Sequence, residues 1–325
     1  MRRAFFIVGP TATGKSELAA DVACESGAEI VSADAFQIYR GLDLLTAKPD
    51  DSILAKAPHH LIGTTALSEE MNAEKYRRAA SRAVEEINSR GNLAMVVGGS
   101  GLYIRALTHG LASLPDVDPK LREQLSAMSL RELQSRLAQL DPEAGRTIDT
   151  KNRRRVVRAL EICLLTGKPA STQRQRWSSG AGNPACVPTT GVVARPSQTG
   201  LSASPATGVF VYRDREELYA RINERVEAMF EHGVIEEVRA TGATGATASQ
   251  MIGLREIREL LDGKISLSQC IAEMQQATRR YAKRQLTWFR RQTNFLPLNL
   301  SLLTHNEARI LLRQHSERRR VSGFA

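Results

Sequence analysis

An apolar pentapeptide followed by a glycine-rich loop and a helix-forming stretch constrains how the N-terminal part of this chain can fold. Residues 4–8 are all apolar, and residues 9–16 read Gly-Pro-Thr-Ala-Thr-Gly-Lys-Ser. This is the G-x-x-x-x-G-K-[ST] pattern of a phosphate-binding loop, in which backbone N–H groups surround an anion, a lysine adds positive charge and a hydroxyl can hold Mg²⁺. Because a strand enters the loop and a helix leaves it, the pattern predicts a bound diphosphate or polyphosphate rather than a simple turn.

Short apolar runs recur along the chain with helical stretches between them, which predicts an α/β fold with a parallel sheet and helices on both faces, similar to the P-loop NTPases. The further runs are residues 29–31, 60–62, 93–97 and 209–212. We expect three regions: residues 1–114 and 208–325 as the α/β core with C-terminal helices, 115–179 as a helical insertion domain, and 180–207 as a flexible loop rich in Gly, Pro, Ser, Thr and Ala.

Composition excludes several classes of protein. The four cysteines are widely spaced and form no C-x-x-C pair, which argues against a zinc site and favours a reduced, cytoplasmic setting. No apolar run approaches the length of a membrane span, and the first one ends at Gly9, too early for a signal peptide. We therefore expect a cytoplasmic protein without a membrane partner.

The positive charge of the chain is concentrated in two segments. The formal net charge is +10, and basic residues cluster in 151–158 and again in 279–291. Such clusters favour a polyanionic partner, because each neutralised phosphate releases condensed counterions. The two segments are therefore candidate contacts for a nucleic acid backbone.

The position of the acidic residues argues against ordinary phosphoryl transfer. P-loop NTPases place a Mg²⁺-binding Asp at the end of a second strand, but the strand predicted at 93–97 ends in Gly-Gly-Ser-Gly. The nearest candidate is Asp34, after the strand at 29–31, where an acid would face the ligand crevice; a helix N-cap is an equally good interpretation from spacing alone. A diphosphate leaving group is favoured over a transferred phosphoryl group.

Several ordered segments resemble one family, the tRNA dimethylallyltransferases, also called tRNA isopentenyltransferases. The resemblance runs from about residue 4 to residue 295 and is carried by residues 9–16, 32–49, 97–103, 155–161, 215–222, 250–256 and 281–290. Ser100 stands where the family usually has Thr, Leu254 replaces a usual Tyr, and Arg154 stands where Gln is common. No zinc-finger spacing follows Phe295, so the chain is similar to the bacterial type.

The resemblance implies a reaction and its partners. Members transfer a dimethylallyl group from dimethylallyl diphosphate to N6 of the adenosine at tRNA position 37, giving N6-dimethylallyladenosine and diphosphate. The cofactor would be Mg²⁺, held by Ser16, and no ATP would be consumed although the loop resembles that of ATP-binding proteins. The protein would be a monomer that binds tRNA through the anticodon loop.

The resemblance also implies roles for individual residues. Asp34 would be the base, with Thr13, Lys15 and an arginine near 215–225 stabilising the diphosphate; Arg215 is favoured, and Arg221 and Arg225 remain open. The diphosphate would lie on Gly9, Pro10, Thr11, Ala12, Thr13, Gly14, Lys15 and Ser16. The tRNA would contact Asp34, Ala35, Phe36, Gln37, Ser100, Arg122, Arg154, Arg155, Val156, Val157, Arg158, Gln250, Gly253 and Arg255.

Other interpretations remain for these motifs. Arg154 and Arg155 fit a solvated helix face, and Gln250 fits a helix cap. A small-molecule kinase would use the same loop but leaves the two basic segments without a role. An adenylate isopentenyltransferase would share the donor and use free AMP as acceptor, and a non-catalytic RNA-binding protein would keep the loop only for structure.

Overall fold

A computed structural model describes residues 4–111, 118–172 and 208–321 of the chain. The chain divides into two compact units, one formed by Met1–Thr108 with Gly200–Ala325 and the other by His109–Thr199. The loop predicted at 180–207 lies outside the described residues. Among the residues that are described, no helix is both long enough and apolar enough to cross a membrane.

The first unit is built on a six-stranded, fully parallel sheet with the strand order β3-β2-β4-β1-β5-β6. This confirms the predicted fold class. Because all strands run the same way, the loops that follow β1, β2, β4 and β5 meet at one edge of the sheet. The strands are β1 (Ala4–Val8), β2 (Glu29–Ser32), β3 (His59–His60), β4 (Ala94–Gly98), β5 (Gly208–Tyr212) and β6 (Phe295–Asn299).

Helices cover both faces of this sheet, as the apolar runs predict. Side chains alternate along β1, so that Phe6 and Val8 join one apolar cluster while Phe5 and Ile7 join another. In chain order the helices are α1 (Lys15–Ser26), α2 (Asp51–Leu54), α3 (Ala73–Ser89), α4 (Gly101–His109), α5 (Pro119–Ala127), α6 (Leu130–Leu140), α7 (Pro142–Thr147), α8 (Arg153–Thr166), α9 (Arg215–Glu231), α10 (Val234–Arg239), α11 (Leu254–Leu261), α12 (Leu267–Phe289) and α13 (His305–Val321).

Strand β6 is the element that the apolar pattern does not predict. It contains Pro297, which lacks a backbone N–H, and Leu296 beside it is exposed. A proline is tolerated there because β6 is the last strand of the sheet and pairs only with β5. In the sequence, Pro297 interrupts the apolar residues of this segment, and a proline argues against a strand interior.

The described part of the second unit is helical and consists of α5–α8. Its core is an apolar cluster that includes Leu125, Leu137 and Leu160. A fully buried carboxylate, Glu161, lies at the edge of this core and is neutralised by Arg122 and Arg158. Since a buried charge needs a partner, these two arginines stabilise the fold of the unit.

Candidate active site

The phosphate-binding loop (residues 9–16) follows β1 and leads into α1 through two residues with left-handed backbone. Ala12 has φ 64° and Gly14 has φ 88°, which turns the chain so that helix α1 starts at Lys15. The carbonyl oxygen of Pro10 accepts hydrogen bonds from the Thr13 hydroxyl at 3.0 Å and from Lys15 Nζ at 3.2 Å. Within the described residues, the N–H groups of residues 12–16 donate to no protein acceptor. They are therefore available to an anion at the start of a helix.

One of the predicted contacts of this loop is already occupied. The backbone N–H of Thr11 donates to Gln285 Oε1 at 2.9 Å. The Thr11 amide is thus a poor candidate for a diphosphate ligand, although the residue remains part of the loop. Gly9 is required at its position, because a Cβ there would lie 2.2 Å from the carbonyl oxygen of Val211.

Two arginines hold the outer side of the loop. Arg213 Nε donates to the Thr13 carbonyl and Arg221 Nε to the Ala12 carbonyl, each at 3.0 Å. Because the arginines bind the carbonyl side of the loop, the N–H groups of residues 12–16 remain free for an anion. Arg215, favoured from the sequence, is exposed and lies over the Tyr219 ring at 5.2 Å from its centroid. Arg213 was not predicted from the sequence, although it follows β5 closely, just as Asp34 follows β2.

Three charged side chains, Lys15, Arg225 and Asp34, influence one another beside the loop. Burial lowers the pKa of Lys15 to about 8, with a smaller lowering by Arg225 that opposes the raising effect of Asp34. Burial likewise lowers the pKa of Arg225 to about 10, again against a raising effect of Asp34. The Nε atom of Arg225 is enclosed and has no hydrogen-bond partner among the described residues. The charge of the Asp34 carboxylate therefore acts on both of these partly buried cations.

Asp34 lies in a tight turn that follows β2 (residues 33–37, the Asp34 turn). Its Oδ1 accepts hydrogen bonds from the N–H groups of Phe36 at 2.9 Å and Gln37 at 3.3 Å, which resembles the capping role considered above. No described residue donates to its Oδ2. One oxygen of the carboxylate thus fixes the turn, and the other remains available to a substrate.

The turn that follows β4 supports the Asp34 turn. Ser100 is buried, its N–H donates to the Ala33 carbonyl at 3.1 Å, and its hydroxyl accepts from Ala35 N–H at 2.9 Å. A Cβ on Gly98 would lie 2.2 Å from the Ala33 carbonyl oxygen, so glycine is needed for the two chains to approach this closely. Ser100 therefore positions the acid from inside the protein rather than presenting its side chain to solvent.

Neutral tyrosines surround the acid. The rings of Tyr76 and Tyr103 stack with centroids 4.0 Å apart, and the Tyr76 hydroxyl donates to the Ser32 carbonyl at 3.1 Å. Burial raises the pKa of Tyr76, Tyr103 and Tyr281, and the charge of Asp34 raises all three further. The phenols consequently stay protonated at neutral pH and add no negative charge to the site.

A small cavity of about 20 Å³ lies beside the loop and is lined in part by Ser16, Ser32 and Gln37. The Gln37 amide donates to the carbonyls of Thr46 at 3.3 Å and Ala47 at 2.8 Å. No cluster of three or more His, Cys, Asp or Glu side chains suited to a metal ion occurs in the described ranges. A cation at Ser16 would therefore depend on oxygen atoms supplied by its ligand and by water.

The residues predicted to contact tRNA in the first unit differ in exposure. Gln250 and Arg255 are exposed, and Arg255 pairs with Glu256 at 2.9 Å. Gly253 is buried at the start of α11, with its N–H on Glu256 Oε2 at 3.1 Å. Gly253 is therefore needed for the backbone, and its N–H is not free to contact RNA. Gln250 does not cap α11, since that position belongs to Gly253.

The predicted tRNA contacts in the second unit also separate into two groups. Arg154 and Arg155 are exposed at the start of α8. Val156 and Val157, by contrast, are buried in the core of the unit, so their side chains are not available to RNA. The helical period explains the difference, because each residue of α8 is turned by about 100° from the one before it. Arg154 and Arg155 therefore lie on one side of the helix, and Val156 and Val157 lie on the other. Arg122 and Arg158 both form ion pairs with Glu161, so each could contact RNA only if its ion pair breaks.

Comparison with known proteins agrees with this geometry. Residues 37–292 match the model of the IPP transferase family. The tRNA dimethylallyltransferase of Akkermansia muciniphila is 39% identical over 287 residues, which cover 88% of this chain and 90% of the relative. The corresponding protein of Geobacter sulfurreducens is 41% identical, with 88% of each chain covered.

The fold is also similar to those of solved structures. The tRNA isopentenylpyrophosphate transferase of Bacillus halodurans is 31% identical, has a TM-score of 0.67, and is matched over 99% of this chain and 98% of its own. A eukaryotic dimethylallyltransferase acting on tRNA shares the fold with a TM-score of 0.69 at 24% identity, over 91% of this chain and 74% of its own.

Proposed function

The chain belongs to the IPP transferase family, and on this basis we propose that it transfers a dimethylallyl group from dimethylallyl diphosphate to N6 of adenosine 37 in tRNA. The products are N6-dimethylallyladenosine and diphosphate. The observation that carries the proposal is a loop with free N–H groups beside two partly buried cations, Lys15 and Arg225, whose charges interact with the carboxylate of Asp34. We further propose that the protein acts in the cytoplasm as a monomer.

The chemistry requires a base and a stabilised leaving group. The N6 amine of adenine is a poor nucleophile, because its lone pair is delocalised into the ring. As the C–N bond forms, Asp34 Oδ2 accepts the N6 proton, while the C–O bond to the diphosphate breaks and the electron pair leaves with the diphosphate. The N–H groups of residues 12–16, Lys15 and Arg225 stabilise the growing negative charge of that leaving group.

A Mg²⁺ ion is the proposed cofactor. The half-buried hydroxyl of Ser16 borders the cavity beside the loop and is the protein group that would hold the ion. When bound, Mg²⁺ would neutralise part of the diphosphate charge. The remaining ligands would be diphosphate oxygens and water, which suits a cation that keeps much of its hydration shell.

The proposed acceptor is an unstacked base of an anticodon loop. Enzymes that act on a base within a structured nucleic acid take the base out of its stack, and anticodon loops are read through splayed bases and phosphates. Phe36 and Gln37 lie next to the proposed base Asp34, and Arg155 in the second unit is an exposed cation suited to a phosphate. Each unit thus offers groups of the kind that RNA binding needs.

Transfer itself is tested with labelled dimethylallyl diphosphate, unmodified tRNA and free AMP in separate reactions. We expect label in tRNA and none in AMP, without consumption of ATP. A labelled AMP product would favour the free-nucleotide transferase, and ATP turnover without prenyl transfer would favour a kinase.

The salt dependence of tRNA binding tests the role of α8. We expect Arg155→Ala to weaken tRNA binding and to reduce the slope of log affinity against log salt by about 0.7–0.9, the value for one phosphate contact. Arg131→Ala is the matched control, since Arg131 is an exposed arginine of the same unit that is not among the predicted contacts. An unchanged slope for Arg155→Ala would show that this side chain touches no phosphate.

The depressed pKa of Lys15 predicts a pH dependence of donor binding. The amine of the empty protein loses its proton near pH 8, whereas a bound diphosphate favours the charged form and raises the pKa. Above about pH 8 binding must therefore take up a proton, and the affinity should fall by up to about tenfold per pH unit. Lys15→Arg should remove this dependence, because arginine stays charged. Calorimetric titration checks both proteins, and a flat wild-type profile between about pH 7 and about pH 10 would contradict the assignment.

A further inference from the structure

Gln285 is a buried polar side chain at the site that the reaction scheme does not use. It lies in the C-terminal half of α12, with only 5% of its surface exposed. Most of the exposed residues around it on α12 are basic, but the amide itself is directed inward. A buried amide is retained only where its donor and acceptor are both satisfied, so its partners indicate what it does.

The two ends of this amide join two loops of the site. Oε1 accepts the N–H of Thr11 in the phosphate-binding loop at 2.9 Å, and Nε2 donates to the Gly99 carbonyl at 2.9 Å. A Cβ on Gly99 would lie 2.2 Å from Nε2, so the contact leaves no room for a side chain there. Gln285 thus connects the loop after β1 to the turn after β4.

The turn after β4 continues to the acid. Gly99 precedes Ser100, whose hydroxyl accepts the N–H of Ala35 and whose own N–H donates to Ala33. A continuous set of hydrogen bonds therefore runs from the phosphate-binding loop through Gln285 to the Asp34 turn.

We propose that Gln285 is a positioning residue that sets the distance between the bound diphosphate and the Asp34 carboxylate. This rests on the proposed function, because the distance matters only if the base and the leaving group act on one substrate pair. By holding the Thr11 N–H, the amide also keeps the start of the loop in the conformation that leaves residues 12–16 free for the anion. A displacement of about 1 Å at such a site can cost about 100-fold in rate.

The test compares side chains of similar size with and without the two hydrogen bonds. Gln285→Met keeps the length of the side chain and removes its donor and its acceptor. Thr278→Val is the matched control, because Thr278 is also buried on α12 but bonds only to the Met274 carbonyl of its own helix. Gly99→Ala is a second variant that displaces the amide from the opposite side, although its Cβ would also lie 2.8 Å from the Gly9 carbonyl oxygen.

Two measurements are made on each full-length protein, the affinity for inorganic diphosphate by calorimetry and the single-turnover rate of transfer to tRNA. We expect Gln285→Met and Gly99→Ala to bind diphosphate about tenfold more weakly and to transfer about 100-fold more slowly. Their tRNA affinity should stay within about twofold of the wild type, and Thr278→Val should match the wild type throughout.

Three results would overturn the proposal: wild-type values for Gln285→Met, wild-type values for Gly99→Ala if Gln285→Met does not fold, or equal losses in Thr278→Val. The diphosphate measurement needs no RNA and no reaction. If the wild-type protein transferred no dimethylallyl group, the proposed function would fail, while the effect of Gln285 on the phosphate-binding loop would still be decided by that measurement.

Discussion

Replacing Asp34 by asparagine is expected to lower the rate of dimethylallyl transfer by about 10³-fold, within the range found for general bases, while tRNA affinity changes by less than about twofold. The amide oxygen of the substituted side chain can still accept from Phe36 and Gln37, so the turn keeps its shape. The amide cannot take up the N6 proton. Single-turnover kinetics with labelled donor measure the rate, and filter binding measures tRNA affinity.

The pH of this experiment matters because Asp34 raises the pKa of Lys15. Without the carboxylate, the Lys15 amine loses its proton below about pH 8 and donor binding weakens for a separate reason. Assays at about pH 6.5 keep the lysine charged and isolate the loss of the base. Asp51→Asn, which changes an exposed carboxylate at the start of α2, is the control. Equal loss of tRNA binding and transfer in Asp34→Asn would remove Asp34 from the role of base.

Replacing Arg225 by methionine is expected to have two effects of opposite sign. The free energy of unfolding of the empty protein should rise by about 1–2 kcal/mol, because the change removes a buried Nε without a hydrogen-bond partner and a charge held out of water. The kcat/KM for dimethylallyl diphosphate should fall by about 10²–10³-fold, because the same charge stabilises the leaving diphosphate. Denaturant unfolding and steady-state kinetics measure the two effects.

Higher stability together with a lower kcat/KM would assign Arg225 to diphosphate binding. Arg239→Met is the matched control, since Arg239 is an exposed arginine paired with Glu236 in α10. It should change neither stability nor kinetics by more than about 0.5 kcal/mol. A destabilised Arg225→Met protein with wild-type kcat/KM would show that Arg225 serves the fold, and the diphosphate would then depend on Lys15 and Arg221.

The sequence predicts most of the α/β core, because the sheet is parallel and buried on both faces. Such strands appear as short continuous apolar runs, and β1, β4 and β5 all lie within one residue of the predicted limits. Strand β6 was not predicted because Pro297 interrupts its apolar residues. The phosphate-binding loop was predictable for a different reason, since its backbone geometry requires particular residues at fixed spacing.

The parts of the site that sequence reasoning missed depend on contacts between distant segments. In the structure Arg221 reaches the phosphate-binding loop, whereas Arg215 lies over the Tyr219 ring. The spacing of residues 215–225 in the sequence does not distinguish these two positions, which is why Arg215 was favoured. Gln285 carries no local signal either, because its two partners belong to loops far away in the chain. Val156 and Val157 belong to a family motif that gives no indication of which side chains are buried, and the helical period places both of them in a core.

The hydrogen bond between Thr11 and Gln285 spans 274 positions of the chain. During synthesis on the ribosome, β1 and its loop emerge first, and α12 emerges only when most of the protein has been made. At about 5–20 residues per second, the start of the chain waits many seconds for the amide that completes its donor site. Contacts between such distant segments can form only late, and they slow the last steps of folding.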